Sequence, residues 1–434
     1  MEFFMSSEAF TVMSLFTGAG GLDIGLEQAG FRTLSAVDND PDCVRTLLMN
    51  QAARVHHDNQ RAVLEGTKII QAGVESLDPS DLKPPFAGPE WAPDLMAGGP
   101  PCQPFSSSGK MLSLSDPRGR LFEHFVRLAE GLKPRLILFE NVRGLVTARG
   151  PSGEPGEALL MVREAFENIG YATTFAMLNA ADFGCPQRRT RCFMMATRCT
   201  SLPDFPEPSH TESPDRSLFG TSPRWVSLGE FLATLPPPSE DEIVRPTSRL
   251  AAQLAEVAAG AGLKSAGARE ATRPGGHWGY RQGTFIADLD QPARTVTGSA
   301  SQDWVRLPDS SLRRLTLREC AGLQGFPPAW EFAGPIASQF RQVGNAVPSI
   351  FGRVLGRSLI AALKGGQRTR PASAPLPRDF AAAINYTKRE HARNGESRRV
   401  AKEKMAQPGV LSHTVKGLGS ASPKTERSSA GDAS

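Results

Sequence analysis

Short apolar runs alternate with amphipathic stretches over the first two hundred positions of this chain. Val12-Met-Ser-Leu-Phe16 reads as a buried strand, followed at once by the turn Thr17-Gly18-Ala19-Gly20-Gly21. Leu22, Ile24, Leu26 and Ala29 then space out as one face of a helix closed by Gly30. Leu34-Ser-Ala-Val37 predicts a second strand, ending in Asp38-Asn39-Asp40. A strand, glycine turn, helix, strand and acid in this order predict the first half of a doubly wound sheet. The pattern continues with an apolar run ending at Ala97, an amphipathic helix from Leu121 to Leu132, and the buried strand Leu136-Ile-Leu-Phe139. A helix over 158–169 and strands over 172–178 and 192–196 complete this part.

From about Leu202 the periodicity weakens and proline and serine rise, with short helices predicted over 228–235 and 249–258. Irregular insertions in a regular α/β chain usually carry specificity. Order returns at Thr316-Leu-Arg-Glu319, a capping box opening a short helix. Gly344-Asn-Ala-Val-Pro348 then leads into a long amphipathic helix that stops at Gly365-Gly366. The fold class expected is α/β, a mostly parallel doubly wound sheet with a smaller irregular domain. The boundaries read as a disordered lead-in over 1–10, a catalytic domain over 11–201 closed by 301–365, an inserted recognition region over 202–300, and a disordered basic tail over 366–434.

Composition adds little to this picture until charge is divided along the chain. The 434 residues carry a net charge of +4. From Gly365 onward 13 Lys and Arg stand against 6 Asp and Glu, a surplus of +7 that leaves −3 for everything before. A solvated tail with loose attraction to a polyanion fits that balance. The six cysteines are scattered with no Cys-x2-Cys pair, and no metal site is expected. No long apolar run or leader is seen, so a cytoplasmic protein is expected.

Chemistry concentrates where strands end. Gly18-x-Gly20 lacks the third glycine of the dinucleotide fingerprint, since Asp23 holds that place. Asp38, about 20 residues after the first glycine, still suits ribose hydroxyls. A nucleoside cofactor without a diphosphate meets both conditions, and S-adenosylmethionine is the candidate. In Gly98-Gly99-Pro100-Pro101-Cys102 two glycines free the backbone and two prolines direct it outward. By local pattern Cys102 is either a reactive thiol or a bystander in a loop. Ser106 to Gly119 is polar and reads as a mobile loop. Glu140 and Asn141 end a strand of the same sheet, so Asp38, Cys102 and Glu140 should converge. Arg188, Arg189 and Arg191 precede the last strand and read as ligands for an anion or a base.

Six stretches, in order and from about Thr11 to Lys364, resemble the DNA (cytosine-5) methyltransferase family. They are Phe16-Thr-Gly-Ala-Gly-Gly21, Gly99-Pro-Pro-Cys-Gln-Pro-Phe-Ser106, Phe139-Glu-Asn-Val142, Gln187-Arg-Arg-Thr-Arg191, Arg314-Leu-Thr-Leu-Arg-Glu319 with Leu323-Gln-Gly-Phe-Pro327, and Gly344-Asn-Ala-Val-Pro348. The resemblance implies methyl transfer from S-adenosylmethionine to carbon 5 of cytosine in a specific duplex sequence, with Cys102 adding to carbon 6 of a flipped-out base. It implies Glu140 at ring nitrogen 3 and the exocyclic amine, Arg189 at the oxygen on carbon 2, and Arg189 and Arg191 as charges favouring thiolate. The cofactor residues it implies are Phe16, Thr17, Gly18, Ala19, Gly20, Gly21, Asp38, Asn39, Pro101, Leu121, Asn345 and Val347. Glu75 is added where Gly73-Val74-Glu75-Ser76 departs from the family's usual Asp. Gln103, Ser106 and Arg118 are implied on the DNA. A separately acting restriction endonuclease, a monomeric state, and the alternatives of a transfer-RNA methyltransferase or an inactive scaffold complete the expectations.

Overall fold

The computed structural model describes residues 9–56, 61–101, 121–198, 201–213, 222–264, 283–366 and 371–389. The described residues up to Lys388 belong to one compact unit. Its first element, β1 (Thr11–Leu15), leads through the glycine turn into α1 (Gly21–Ala29), β2 (Arg32–Asp38), α2 (Pro41–Ala52), β3 (Lys68–Gln71), the short α3 (Pro79–Leu82) and β4 (Leu95–Gly98). Then come α4 (Leu121–Leu132), β5 (Leu136–Val142), α5 (Glu157–Asn168), β6 (Ala172–Asn179) and β7 (Thr190–Thr197). The seven strands form one sheet in the order β3-β2-β1-β4-β5-β7-β6. β1 to β5 run parallel, and β7 is antiparallel to both β5 and β6. The expected mostly parallel, doubly wound α/β fold is therefore the one observed.

Alternation along β5 shows how the sequence builds both faces. Ile137 and Phe139 point into the cluster formed by α4 and α5, where Phe125, Phe139 and Phe166 meet edge to face with centroids 5.6–5.8 Å apart. Leu136 and Leu138 point to the opposite face, where α1 lies beside the long C-terminal helix described next.

The irregular region after β7 contains α6 (Leu228–Ala233), α7 (Ser248–Ala255) and a small sheet of β8 (Ala261–Gly262), β9 (Phe285–Ile286), β10 (Trp304–Arg306) and β11 (Leu312–Arg314). Because Trp304 pairs with Ile286, this sheet runs past residue 300, beyond the boundary expected from composition. Then α8 (Leu317–Leu323) starts on the expected capping box, and α9 (Ile336–Asn345) and α10 (Ser349–Lys364) follow. The stretch Ile336–Lys364 has the length and hydropathy of a membrane span, but it breaks at Pro348 and is mostly buried in the fold. α10 packs on α1 with backbones nearly touching, since a Cβ on Gly25 or Gly352 would strike a carbonyl of the other helix.

The tail departs from expectation. Residues 371–389 are not a disordered extension: Thr173 and the tail exchange bonds (Thr173 N to Ser373 Oγ, 3.0 Å; Ala374 N to Thr173 O, 2.9 Å), and a helix over 378–389 follows. Phe380 is buried against Phe175, and Ile384 lies over Gly156. The strand edge offered unpaired backbone groups and an apolar hollow, and a locally polar segment could fill both. Phe380→Ala is expected to lower unfolding free energy by about 3 kcal/mol, measured by urea titration; an unchanged midpoint would contradict this docking.

Candidate active site

Four adjacent strands bring their carboxyl ends to one edge. Leu15 of β1 pairs with Gly98 of β4, and Gly98 with Phe139 of β5. β2 lies on the other side of β1, with Asp38 at its end.

The half of the candidate site around the glycine turn is built on backbone geometry. Phe16 (φ 54°), Gly18 (φ 59°) and Gly20 (φ 89°) are left-handed. Thr17 is anchored twice to Val37, donating its N–H to the carbonyl (3.0 Å) and accepting the Val37 N–H on Oγ1 (3.1 Å). Gly18 donates to Asp38 Oδ2 (2.7 Å), and Asp40 N–H donates to Asp38 Oδ1 (2.9 Å). A side chain on Gly18 would stand in open space, so the turn presents bare backbone. Ala19 is buried, while Gly20 and Gly21 are crowded: a Cβ on Gly20 would lie 3.0 Å from Leu47, and one on Gly21 would strike the carbonyl of Val347. Burial pushes the Asp38 carboxyl above the usual range, opposed by its backbone donors. Asn39, Pro101 and Asn345 are exposed, and Leu121 is half-buried at the start of α4. Glu75 is exposed, not enclosed, and folds back so that its carboxyl carbon would lie 2.5 Å from a Cβ on Gly73.

The second half centres on Glu140. Its carboxyl is buried and accepts from Arg191 Nε (3.0 Å), while Oε2 would lie 2.5 Å from a Cβ on Gly99. Asn141 donates to the carbonyl of Pro100 (3.3 Å). Glu140 therefore leans over the turn that leads into Cys102. Burial raises its pKa, with Arg191 and then Arg189 pulling the other way. Cys102, Gln103, Ser106 and Arg118 lie outside the described residues. Of the described cysteines, Cys43, Cys185, Cys192 and Cys320 are buried and free, and burial pushes each thiol's pKa up, away from nucleophilic use.

Arg189 does not join this site as expected. Its side chain is fully buried and turned away, with Nη1 donating to the Val296 carbonyl (2.9 Å) and Nη2 to those of Gly344 (2.8 Å) and Ala346 (2.9 Å). The terminal nitrogens are thus committed to backbone, which leaves Arg191 as the arginine beside the acid. Alternation along an extended strand puts residues two apart on one face, and that rule alone does not separate 189 from 191. Two buried glutamines that sequence reasoning passed over complete this junction. Gln187 accepts from Val296 N–H (2.9 Å) and donates to the Leu323 carbonyl (3.1 Å), and Gln324 donates to the Val343 carbonyl (2.6 Å).

Comparison with known proteins decides the family. The profile of the C-5 cytosine-specific DNA methylase family matches residues 10–361. The chain belongs to that family. It is 30% identical over 372 residues to the type II methyltransferase M1.HphI of Haemophilus parahaemolyticus, covering 83% of this chain and 90% of that protein. It is 35% identical over 233 residues to M.AquIA of Picosynechococcus, covering 52% and 89%. Among solved structures, Spodoptera frugiperda DNMT2 superposes with TM-score 0.56 at 16% identity, over 81% of this chain and all of that one, a likeness of fold. In this methyltransferase a buried glutamate, Glu140, stands near the end of β5, over a glycine that makes room for it.

Asp23 is the residue the motifs did not reveal. It is fully buried in the first turn of α1, and burial raises its pKa to about 7, opposed by the Ser14 side chain. A raised pKa means the folded state holds its proton longer than the unfolded chain, so folding is favoured at low pH and this contribution is lost between about pH 4 and 7. Asp23→Asn should remove that slope, each unit being worth about 1.4 kcal/mol. Denaturation of both proteins at pH 5 and 8 checks it, and equal differences would refute it. Gly99→Ala should push the Glu140 carboxyl aside and lower kcat by about a hundredfold while the melting temperature changes little, since small misplacements of a reacting group carry that weight.

Proposed function

We propose that this DNA cytosine-5 methyltransferase takes its methyl group from S-adenosylmethionine and works through a covalent bond between Cys102 and a flipped-out cytosine. The observation carrying this reading is the buried Glu140–Arg191 pair leaning over Gly99, beside the bare glycine turn. The residues fit the donor: open space over Gly18 admits a ligand against backbone, and Asp38 keeps acceptor capacity for ribose hydroxyls. Phe16, Thr17, Gly18, Ala19, Gly20, Gly21, Asp38, Asn39, Pro101, Leu121, Asn345 and Val347 would hold it, with the Glu75 carboxyl reaching over Gly73 toward the adenine amine. When bound, S-adenosylmethionine supplies an electrophilic methyl group.

Cytosine carbon 5 is a poor nucleophile until the ring is activated. The Cys102 thiolate adds to carbon 6, the carbon 5–carbon 6 π electrons become those of an enamine, and carbon 5 gains nucleophilic character. Glu140, its proton favoured by burial, shares that proton with ring nitrogen 3 as negative charge builds there. Arg191 orients the carboxyl and adds positive field. After alkylation, loss of the carbon 5 proton to a base and expulsion of the thiolate restore aromaticity. None of these atoms is reachable inside a duplex, so the base must leave the stack, with Gln103 on the DNA and Ser106 and Arg118 on the phosphates around the extruded nucleotide. The region 202–300 with the small sheet reads the sequence. A monomer in the cytoplasm, acting beside a separate restriction endonuclease, fits relatives named type II methyltransferases.

A duplex carrying 5-fluorocytosine at the target tests the mechanism, because fluorine at carbon 5 cannot leave as a proton does. With S-adenosylmethionine, the wild-type chain should form an adduct that survives denaturing electrophoresis, and Cys102→Ala should form none. An adduct with the variant, or none with wild type, would refute the assignment; labelled methyl transfer to RNA in parallel tests the transfer-RNA alternative.

A further inference from the structure

We propose that Arg189 is a positioning residue that makes engagement of DNA by the exposed segment 295–301 and binding of the methyl donor strengthen one another; this rests on the function proposed above. Segment 295–301 lies between β9 and β10 and is exposed except for Val296 and Gln302 beside it. It is rich in hydroxyls and bare amides (Thr295, Thr297, Gly298, Ser299, Ser301), groups that suit phosphate oxygens. Its inner side is stapled to the segment that leads into β7, the strand carrying Arg191. Val296 N–H donates to Gln187 Oε1 (2.9 Å), and Thr295 Oγ1 donates to the Arg188 carbonyl (2.9 Å).

One guanidinium then ties this segment to the turn before α10. Arg189 spends Nη1 on Val296 and Nη2 on Gly344 and Ala346. The two backbones touch directly as well, since a Cβ on Gly344 would strike Thr297 and Gly298. From there the path to the donor is one residue long: Val347 presents its carbonyl to Gly21 of the glycine turn. Among the described residues no carboxylate is bonded to Arg189, so the carbonyls on these two segments are what satisfy a buried charge. Moving either segment alone strips that charge of an acceptor, which makes the joint arrangement favoured over either half. A ligand that fixes one segment therefore prepays the ordering of the other, and linkage makes the effect mutual.

The test uses the full chain, S-adenosylhomocysteine as the donor-site probe, and a duplex carrying the site identified by bisulfite sequencing of an expressing host's DNA. Calorimetric Kd values with and without duplex give a coupling ratio. Wild type is expected to show a ratio of at least about five, within the usual range for coupled sites. Arg189→Lys, which keeps charge but loses the fork, should bring it to within about twofold of one. Gly344→Ala wedges the same junction apart from the other side and should do the same, which carries the test should the lysine variant not fold. A wild-type ratio near one, or a folded variant keeping the wild-type ratio, overturns the proposal. Adduct formation on 5-fluorocytosine duplex reports separately on the underlying mechanism, and a structural defect alone would lower the melting temperature without moving the ratio.

Discussion

Glu140 and the turn after β4 share one small volume, and they can do so only because residue 99 has no side chain. Parallel pairing of β1, β4 and β5 places Leu15, Gly98 and Phe139 in one row, so the next residues of each strand emerge together. At Gly98 the constraint is backbone against backbone, with the carbonyl of Leu15 where a Cβ would be. At Gly99 it is backbone against a carboxyl group. Two successive glycines thus let two strand ends close up.

The electrostatics follow from this close approach. A carboxyl pressed into the fold loses hydration, which favours its protonated form, and the nearby Arg191 limits how far that goes. Burial and the arginine thus act on the Glu140 carboxyl in opposite directions, burial being the larger of the two. Asp23 shows the same desolvation, opposed by the Ser14 side chain rather than by an arginine, in the first turn of α1. Burial raises both acids, yet only Glu140 has an arginine bonded to it among the described residues.

A second, wholly buried junction holds the molecule's last third against this edge. Gln187, Arg189 and Gln324 reach carbonyls and amides of segments far apart in sequence. Each of these side chains is almost fully covered, so backbone partners are the condition for their burial. The irregular region rejoins the large-sheet fold here, and its position relative to the glycine turn is fixed by hydrogen bonds as well as by apolar packing.

Local pattern determined a good deal by itself. The alternation of β5, the capping box at Thr316, the glycine turn and the acid of Asp38 each arise from a few neighbouring residues, and each is seen where the pattern placed it. What only tertiary structure decided is which of two like residues faces which neighbour. Arg189 and Arg191 stand two apart on a run of basic residues, and the partners that separate them, Val296, Gly344 and Glu140, are contributed by remote segments. The same holds for the tail, whose composition suggests solvation while Phe380 finds a hollow beside β6 that no local rule could reveal. Propensity and period are properties of adjacent residues, whereas a hydrogen-bond acceptor or an empty hollow exists only once distant strands have met.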